Sequence, residues 1–256
     1  MPGASRTPGP ARTAGAAHPA ALLGAAASAL LLAGCSLGPL GPDEPLDPPP
    51  AVLPDGWATG APPEDDDTPV GAFYGDSYTR GTGASDLSRR WSTIVSAERG
   101  WAEFNPSVDG LGFVNNRDFL APGDDLVDRI VELEPEPDVV IVTMGLNDNF
   151  TMPARADEIE AAIDRDLARL RGELPDARLV VVEPFWYTDE RPASVAEVIG
   201  WVEDAAADVG ADLIPGASRW IEGHPEWIAP DGLHPNDDGY AEIAERMDAE
   251  LEELGL

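Results

Sequence analysis

Four short segments of this sequence place hydroxyl, carboxylate, imidazole and amide groups beside predicted strand ends and turns. The segments are 75–79 (GDSYT), 105–112 (NPSVDGLG), 145–148 (GLND) and 231–235 (DGLHP). Acyl transfer by a serine requires a nucleophile, a base, a group that orients the base, and donors to the oxyanion. These residue types therefore predict nucleophilic chemistry at a carbonyl carbon, provided that the fold brings the four segments together.

Each of the required roles has a candidate residue. Ser77 follows a predicted strand and a glycine, so its hydroxyl is expected at the edge of a sheet as the nucleophile. His234 is the predicted base, and Asp231 lies close enough in a tight turn to accept the Nδ1–H and fix the tautomer. The predicted oxyanion donors are the backbone N–H groups of Ser77 and Gly110 and the side-chain amide of Asn147.

Several neighbouring residues qualify these assignments. Asp109 adjoins Gly110, and its carboxylate would oppose an oxyanion and put activity in doubt if it pointed inward. Gly112 is the alternative for the glycine role. Trp186 follows a predicted strand at the end where ligands bind, and we interpret it either as a wall of the substrate pocket or as simple packing. His224 precedes a proline as His234 does, but it has no carboxylate three residues earlier, so it serves as an internal control.

Short apolar runs alternate with helical patterns between residues 69 and 256. The predicted strands are 70–74, 102–105, 138–144, 178–182 and 212–214, and the predicted helices are 85–99, 124–133, 156–172, 193–208 and 237–254. The first of these helices is expected to begin with Ser85 as its cap. Such alternation predicts an α/β fold, a three-layer α/β/α sandwich with a mainly parallel sheet of about five strands. Ligands of such folds bind beyond the carboxyl ends of the strands.

The charge and the rare side chains exclude other classes of protein. The chain has 48 acidic and 16 basic residues and a net charge of −32, which disfavours nucleic-acid binding and attraction to anionic lipids. Its single cysteine, Cys35, forbids an intrachain disulfide. With one cysteine and three histidines, an ordinary zinc site is not expected, and we predict no bound metal.

The first 34 residues have the features of a targeting segment. Two arginines precede the apolar stretch 19–34, which is shorter than the roughly 20 residues that span a bilayer. The stretch ends in Leu-Ala-Gly followed by Cys35, and this resembles the lipobox of bacterial lipoproteins. The resemblance implies cleavage before Cys35, lipidation of that residue, and attachment to the extracytoplasmic face of the plasma membrane. An ordinary secretory signal with a chance cysteine and an uncleaved anchor are the alternatives.

Residues 36–68 contain nine prolines, eight acids and no basic residue. A segment of this composition buries too little apolar surface to fold, so we predict a disordered tether over residues 35–68. The folded domain is accordingly predicted at 69–256.

The four segments, in this order, resemble those of the SGNH (GDSL-type) esterase and lipase family. The resemblance covers most of residues 69–256 and implies a flavodoxin-like α/β/α fold that hydrolyses esters through an acyl-serine, without a metal or organic cofactor. It assigns the triad to Ser77, Asp231 and His234 and the oxyanion hole to Ser77, Gly110 and Asn147. We expect a monomeric esterase for short-acyl or carbohydrate-linked esters. An envelope acyltransferase with the same triad, and a catalytically silent binding lipoprotein, are the alternatives.

Overall fold

The computed structural model describes residues 56–65 and 67–256. Five strands form one sheet in the order β2-β1-β3-β4-β5, and every pair of neighbours is parallel. The strands are β1 (Val70–Tyr74), β2 (Ala102–Phe104), β3 (Val139–Val142), β4 (Arg178–Val182) and β5 (Asp212–Ile214). Ala72 of β1 lies opposite Phe104 on one side and Val140 on the other, so β1 and β3 occupy the centre of the sheet.

Helices cover both faces of the sheet. They are α1 (Ser77–Arg80), α2 (Trp91–Arg99), α3 (Leu126–Val131), α4 (Ala156–Glu173), α5 (Ala193–Asp208) and α6 (Asp237–Glu253). Alternate residues of β3 belong to different cores: Val140 packs with α3, α4 and α5, whereas Ile141 packs with α2 and α6. The predicted three-layer sandwich with a five-stranded sheet is confirmed. The pattern is visible in the sequence because a strand buried on both faces needs apolar side chains at every position.

The predicted helix at 85–99 is wrong in its first half. Residues Leu87–Arg89 form a separate 3₁₀ helix capped by Asp86, and α2 begins only at Trp91. Arg90 between them has an extended backbone, and its guanidinium pairs with the buried carboxylate of Glu103 at 3.0 Å. Ser85 caps neither helix, since its N–H and hydroxyl both donate to Asp237 at the start of α6.

The C-terminal end of the predicted disordered tether makes hydrogen bonds and buried contacts with the folded domain where the structure describes it. The N–H of Ala58 donates to the carbonyl of Glu103, and the N–H of Asn105 donates to the carbonyl of Gly56. Between these bonds the Trp57 side chain is buried against Phe104, with ring centroids 5.3 Å apart. Residues 56–58 therefore line the edge of β2, and burial of an indole stabilises a contact that composition alone did not reveal.

The predicted signal segment, Cys35 and most of the predicted tether lie outside the described residues. Within the part of the chain that the structure describes, no helix has the length and apolarity needed to cross a bilayer.

Candidate active site

The turn after β1 places Ser77 at the rim of the sheet. A Cβ atom added at Gly75 would lie 2.5 Å from Thr143 Oγ1 and 2.6 Å from Thr79 Cβ, so only glycine fits between these side chains. The two threonine hydroxyls are themselves hydrogen-bonded at 2.5 Å, which joins the turn to the end of β3. The close approach allows the strand to pass directly into α1, whose first residue is Ser77.

Asp76 connects the serine segment to the asparagine segment. Its carboxylate accepts the backbone N–H of Tyr78 at 3.0 Å and the side-chain amide of Asn147 at 3.2 Å. Burial raises the pKa of Asp76 to about 7, although the Tyr78 hydrogen bond and the nearby His234 both act to lower it. Asp76 therefore braces its loop by accepting a backbone N–H.

Asp231 and His234 form a hydrogen-bonded pair in the turn before α6. The Asp231 carboxylate lies 2.7 Å from Nδ1 of His234 and also accepts the backbone N–H groups of Leu233 and His234. Partial burial raises the pKa of Asp231, but the His234 ring and the two backbone N–H groups outweigh it and hold the pKa at about 2. The ionised carboxylate fixes the proton on Nδ1 and leaves Nε2 free to act as a base.

The serine segment and the histidine segment are in direct contact. The Tyr78 hydroxyl donates to the carbonyl of Leu233 at 2.7 Å, and the Tyr78 and His234 rings have centroids 6.0 Å apart. A Cβ atom at Gly83 would lie 3.1 Å from Cβ of His234. Among the described residues no hydrogen bond joins the Ser77 hydroxyl to His234. Such bonds in free enzymes often tighten only when substrate binds.

Two of the predicted oxyanion donors have unengaged backbone N–H groups. No hydrogen bond within the described residues takes up the N–H of Ser77 or that of Gly110. Gly110 has φ of 72°, a left-handed conformation that favours glycine, and its carbonyl accepts the Asn116 side-chain amide at 2.7 Å. Both N–H groups can therefore donate to an oxygen atom that enters the site.

Asn147 is present at the same rim, but its amide is already engaged. The Nδ2 atom donates to Asp76 at 3.2 Å and to the carbonyl of Leu111 at 3.0 Å. Because an amide nitrogen has two hydrogens, a bond to an oxyanion requires Asn147 to share or exchange one of these bonds. Its oxyanion role stays a prediction.

Asp148 holds the glycine segment in place. Its buried carboxylate accepts the backbone N–H groups of Phe113, Val114 and Asn115 at 2.7 to 3.1 Å. A Cβ atom at Gly112 would lie 2.5 Å from this carboxylate, and the N–H of Gly112 donates to the carbonyl of Asn115. Gly112 therefore has no free donor and is a poor alternative to Gly110.

The Asp109 carboxylate is paired with a cation. It accepts the Arg80 guanidinium and, at 2.6 Å, the hydroxyl of Thr82. Arg80 is the last residue of α1, the helix that begins with Ser77. The pairing offsets the charge that Asp109 would otherwise place beside Gly110, so the objection that Asp109 raises against an oxyanion site is weakened.

Trp186 offers little surface to a substrate. Its side chain is 3% exposed, and Nε1 donates to the carbonyl of Glu190 at 2.9 Å. The ring packs against Tyr187 and Phe150, with centroids 4.8 and 6.3 Å away. These contacts favour the packing interpretation over the pocket wall.

The control histidine has a carboxylate partner that the sequence interpretation missed. Nδ1 of His224 lies 2.8 Å from Glu226, two residues later, and the ring stacks on Trp227 with centroids 3.6 Å apart. A carboxylate two residues after a histidine can also reach its ring, so the absence of one three residues earlier did not leave His224 without a partner. His224 remains distinct from His234, since no described contact joins it to the serine segment.

The sequence matches the model of the GDSL-like lipase/acylhydrolase family over residues 73–242. This chain belongs to that family. The GDSL lipase Rv0518 of Mycobacterium tuberculosis is 32% identical over an alignment of 190 residues that covers 69% of this chain and 78% of that protein. The predicted family and the predicted enzyme class are confirmed: the protein is a serine hydrolase that acts on esters.

Solved structures similar to this hydrolase share its fold. A family two carbohydrate esterase from Cellvibrio japonicus has a TM-score of 0.57 and 16% identity, over 72% of this chain and 61% of that chain. The carbohydrate acetylesterase Est24 from Sinorhizobium meliloti has a TM-score of 0.55 and 15% identity, over 73% of this chain and 100% of that chain. At such identities the likeness supports the α/β/α fold.

Two features of the hydrolase's rim were missed by the sequence interpretation. Phe119 and Phe150 are exposed by 61% and 54%, and each belongs to a 3₁₀ helix near a predicted oxyanion donor. Exposure depends on the packing of distant segments, so no local pattern indicates it. Among the described residues, no group of three or more His, Cys, Asp and Glu side chains is placed to hold a metal ion.

The raised pKa of Asp76 predicts a pH-dependent stability. Because the folded state holds the Asp76 proton more tightly than the unfolded state, its contribution to the free energy of unfolding falls as pH rises from about 4 to 7. We expect the difference in unfolding free energy between Asp76→Asn and the wild type to shift in the variant's favour by about 3 kcal/mol between pH 5 and 8.

Urea unfolding at the two pH values measures this shift, and Asp86→Asn is the matched control. Asp86 also caps a short helix by accepting an N–H two residues later, but it is exposed and hydrogen bonds from Ser88 lower its pKa. The stabilisation that the Asp86 carboxylate provides is complete above its ordinary pKa. The difference in unfolding free energy between Asp86→Asn and the wild type should therefore be constant between pH 5 and 8. An equally constant difference for Asp76→Asn would contradict the raised pKa.

Proposed function

We propose that this hydrolase cleaves short-acyl or carbohydrate-linked carboxylic esters through an acyl-serine intermediate on Ser77. The observation that carries the proposal is the Asp231–His234 hydrogen bond of 2.7 Å in a turn that packs against Tyr78, the residue after Ser77. An oriented imidazole beside a serine at a sheet edge is the arrangement needed for nucleophilic acyl transfer.

The reaction proceeds in two steps. Nε2 of His234 takes the Ser77 proton as Oγ bonds to the carbonyl carbon, and the resulting oxyanion accepts hydrogen bonds from the N–H groups of Ser77 and Gly110. Collapse of this intermediate breaks the bond to the alcohol oxygen, which receives the proton from Nε2. Water, deprotonated by His234, then attacks the acyl carbon. The bond to Ser77 Oγ breaks, Oγ receives the proton back from Nε2, and the acid is released. Throughout, the Asp231 carboxylate stabilises the imidazolium.

The charges around the site favour neutral substrates. Asp231 and Asp76 lie close to His234, and the whole chain has a net charge of −32. Such a field repels anionic esters and lowers their local concentration. Similarity in fold to two carbohydrate esterases adds support for uncharged sugar esters as the substrate class.

Release of acetate from acetylated xylooligosaccharides and from p-nitrophenyl acetate tests the substrate class. We expect the wild-type protein to release acetate from both, with Ser77→Ala inactive on both. An added alcohol acceptor distinguishes hydrolysis from acyl transfer. If transfer of the acyl group to the added alcohol is the main reaction, the protein is an acyltransferase and not an esterase. No turnover of any ester, with no covalent adduct on Ser77, would favour the silent binding lipoprotein.

We further propose that the enzyme is anchored at the extracytoplasmic face of the plasma membrane through lipid on Cys35. The support is the sequence Leu-Ala-Gly-Cys after an uncharged apolar stretch, with the cysteine at the position that lipidation requires. Two or more acyl chains give stable attachment, whereas a strongly acidic protein gains nothing from anionic headgroups.

Labelling cells with a palmitate analogue tests the anchor. We expect the wild-type protein to incorporate the label and to sediment with membranes. Cys35→Ser should do neither, and Ser36→Ala, one residue further on, should behave as wild type. Wild-type protein without label would contradict the anchor and leave the esterase proposal untouched.

A further inference from the structure

The Phe119 side chain lies beside a predicted oxyanion donor and is exposed by 61%. A Cβ atom added at Gly110 would lie 3.4 Å from Cε2 of Phe119, so the ring occupies the side of the glycine on which a side chain would project. The Gly110 N–H is free to donate, so an oxygen bound to it would lie at the same turn as this ring. Phe119 is thus positioned to contact whatever is attached to the carbonyl carbon.

The position of Phe119 relative to Gly110 is held by its neighbours. Asn116, with φ of 54°, donates its side-chain amide to the carbonyl of Gly110 at 2.7 Å. Arg117 donates to the carbonyl of Phe113 at 3.0 Å and to the buried Asp166 carboxylate at 3.1 Å. The exposed ring therefore stands on an anchored turn, and little conformational entropy is lost when a ligand covers it.

The chemistry of the intermediate decides which part of the ester reaches Phe119. The tetrahedral carbon bonds to Ser77 Oγ, the oxyanion, the alcohol oxygen and the acyl carbon. The alcohol oxygen must face His234, which protonates it, and the Tyr78 ring beside His234 belongs to the core shared with α2 and α6. Phe113, which follows the Gly110 turn, belongs to the opposite core. We place the acyl carbon on this Gly110 side, away from His234.

We propose that Phe119 selects the acyl group of the substrate, by packing its ring against an apolar acyl chain longer than acetyl. This inference rests on the proposed function, because it requires the acyl-serine at Ser77. An acetyl group ends before it can cover the ring, whereas each further methylene removes apolar surface from water on both partners. A fully buried methylene changes an equilibrium by about fourfold, and a half-covered one by about twofold.

Measuring kcat/KM on p-nitrophenyl acetate, butyrate and hexanoate tests the selection, because the alcohol part stays constant. Phe119→Ala should lower kcat/KM by about tenfold on hexanoate and by less than twofold on acetate, and Phe119→Leu should restore most of the loss. Phe150→Ala is the matched control. Phe150 is an equally exposed ring that packs against Trp186 at 6.3 Å, and its loss should leave the chain-length preference unchanged.

Other outcomes would overturn the inference. An equal loss on all three esters would mean that Phe119 only supports the Gly110 turn. If the effect of Phe119→Ala on kcat/KM instead grows with the length of the alcohol in a series of acetate esters, and stays constant along the acyl series, the ring lies on the alcohol side. If Phe150→Ala changes the acyl chain-length preference as Phe119→Ala does, the effect is not specific to Phe119. Wild-type protein without Ser77-dependent turnover of any ester would overturn the proposed function, and this inference with it.

Discussion

Replacing Ser77 by alanine should lower kcat/KM for ester hydrolysis by at least about 10⁴-fold, because no other group at the rim can form the acyl intermediate. The change removes one oxygen from a side chain that is 5% exposed and leaves the backbone of α1 unchanged. We therefore expect the free energy of unfolding to change by no more than about 1 kcal/mol. Steady-state rates on p-nitrophenyl acetate, combined with urea unfolding, measure the two effects on the same preparation.

Ser107→Ala is the matched control for this experiment. Ser107 is also a buried serine at the same edge of the sheet, but its hydroxyl makes only a long 3.5 Å hydrogen bond to the carbonyl of Phe73. Its loss should change kcat/KM less than threefold or so, since one weak neutral hydrogen bond is involved. A Ser77→Ala protein that keeps even a tenth of the wild-type rate would remove Ser77 from the nucleophile role.

The second large effect is expected at His234. Glutamine at this position can keep a hydrogen bond to Asp231 but cannot accept a proton at neutral pH, so kcat should fall by about 10⁴-fold or more with little change in KM. The fold should tolerate the change, because the Tyr78 hydroxyl binds the carbonyl of Leu233, which the substitution does not alter.

His224→Gln provides an unusually close comparison for His234→Gln. Both histidines bind a carboxylate through Nδ1, at 2.8 Å for His224 and 2.7 Å for His234. They differ in location, because His224 stacks on Trp227 and His234 packs beside the residue that follows Ser77. If both variants lose activity to the same degree, the loss reflects damage to the fold, and His234 is not the base.

Some elements followed directly from the sequence. Strands β1, β4 and β5 and helix α5 begin and end at the predicted residues, because runs such as Leu179–Val182 are apolar at every position and are bounded by polar residues or prolines. The Asp231–His234 pair was predicted for a similar reason. A carboxylate three residues before a histidine can reach its ring within one turn, whatever the rest of the chain does.

Other features depended on contacts between distant segments. Arg90 interrupts the predicted helix at 85–99, and its guanidinium forms an ion pair with Glu103 on β2. Asp109 pairs with Arg80, 29 residues away, so its charge could not be judged from its neighbours in sequence. In the same way, the exposed aromatic ring proved to be Phe119 rather than the buried Trp186. Exposure and ion pairing are properties of the packed fold, and local patterns do not encode them.

Covalent trapping of the nucleophile shows whether Ser77 is the residue that attacks the substrate and whether His234 activates it. A fluorophosphonate probe is added to the full-length protein, and the modified peptide is located by mass spectrometry, in the wild type and in His234→Gln. We expect a single adduct on Ser77 that forms at least about a hundredfold more slowly in the variant, because the neutral hydroxyl then lacks its base. An adduct on another residue, or labelling of Ser77 at the same rate in both proteins, would contradict these roles of Ser77 and His234.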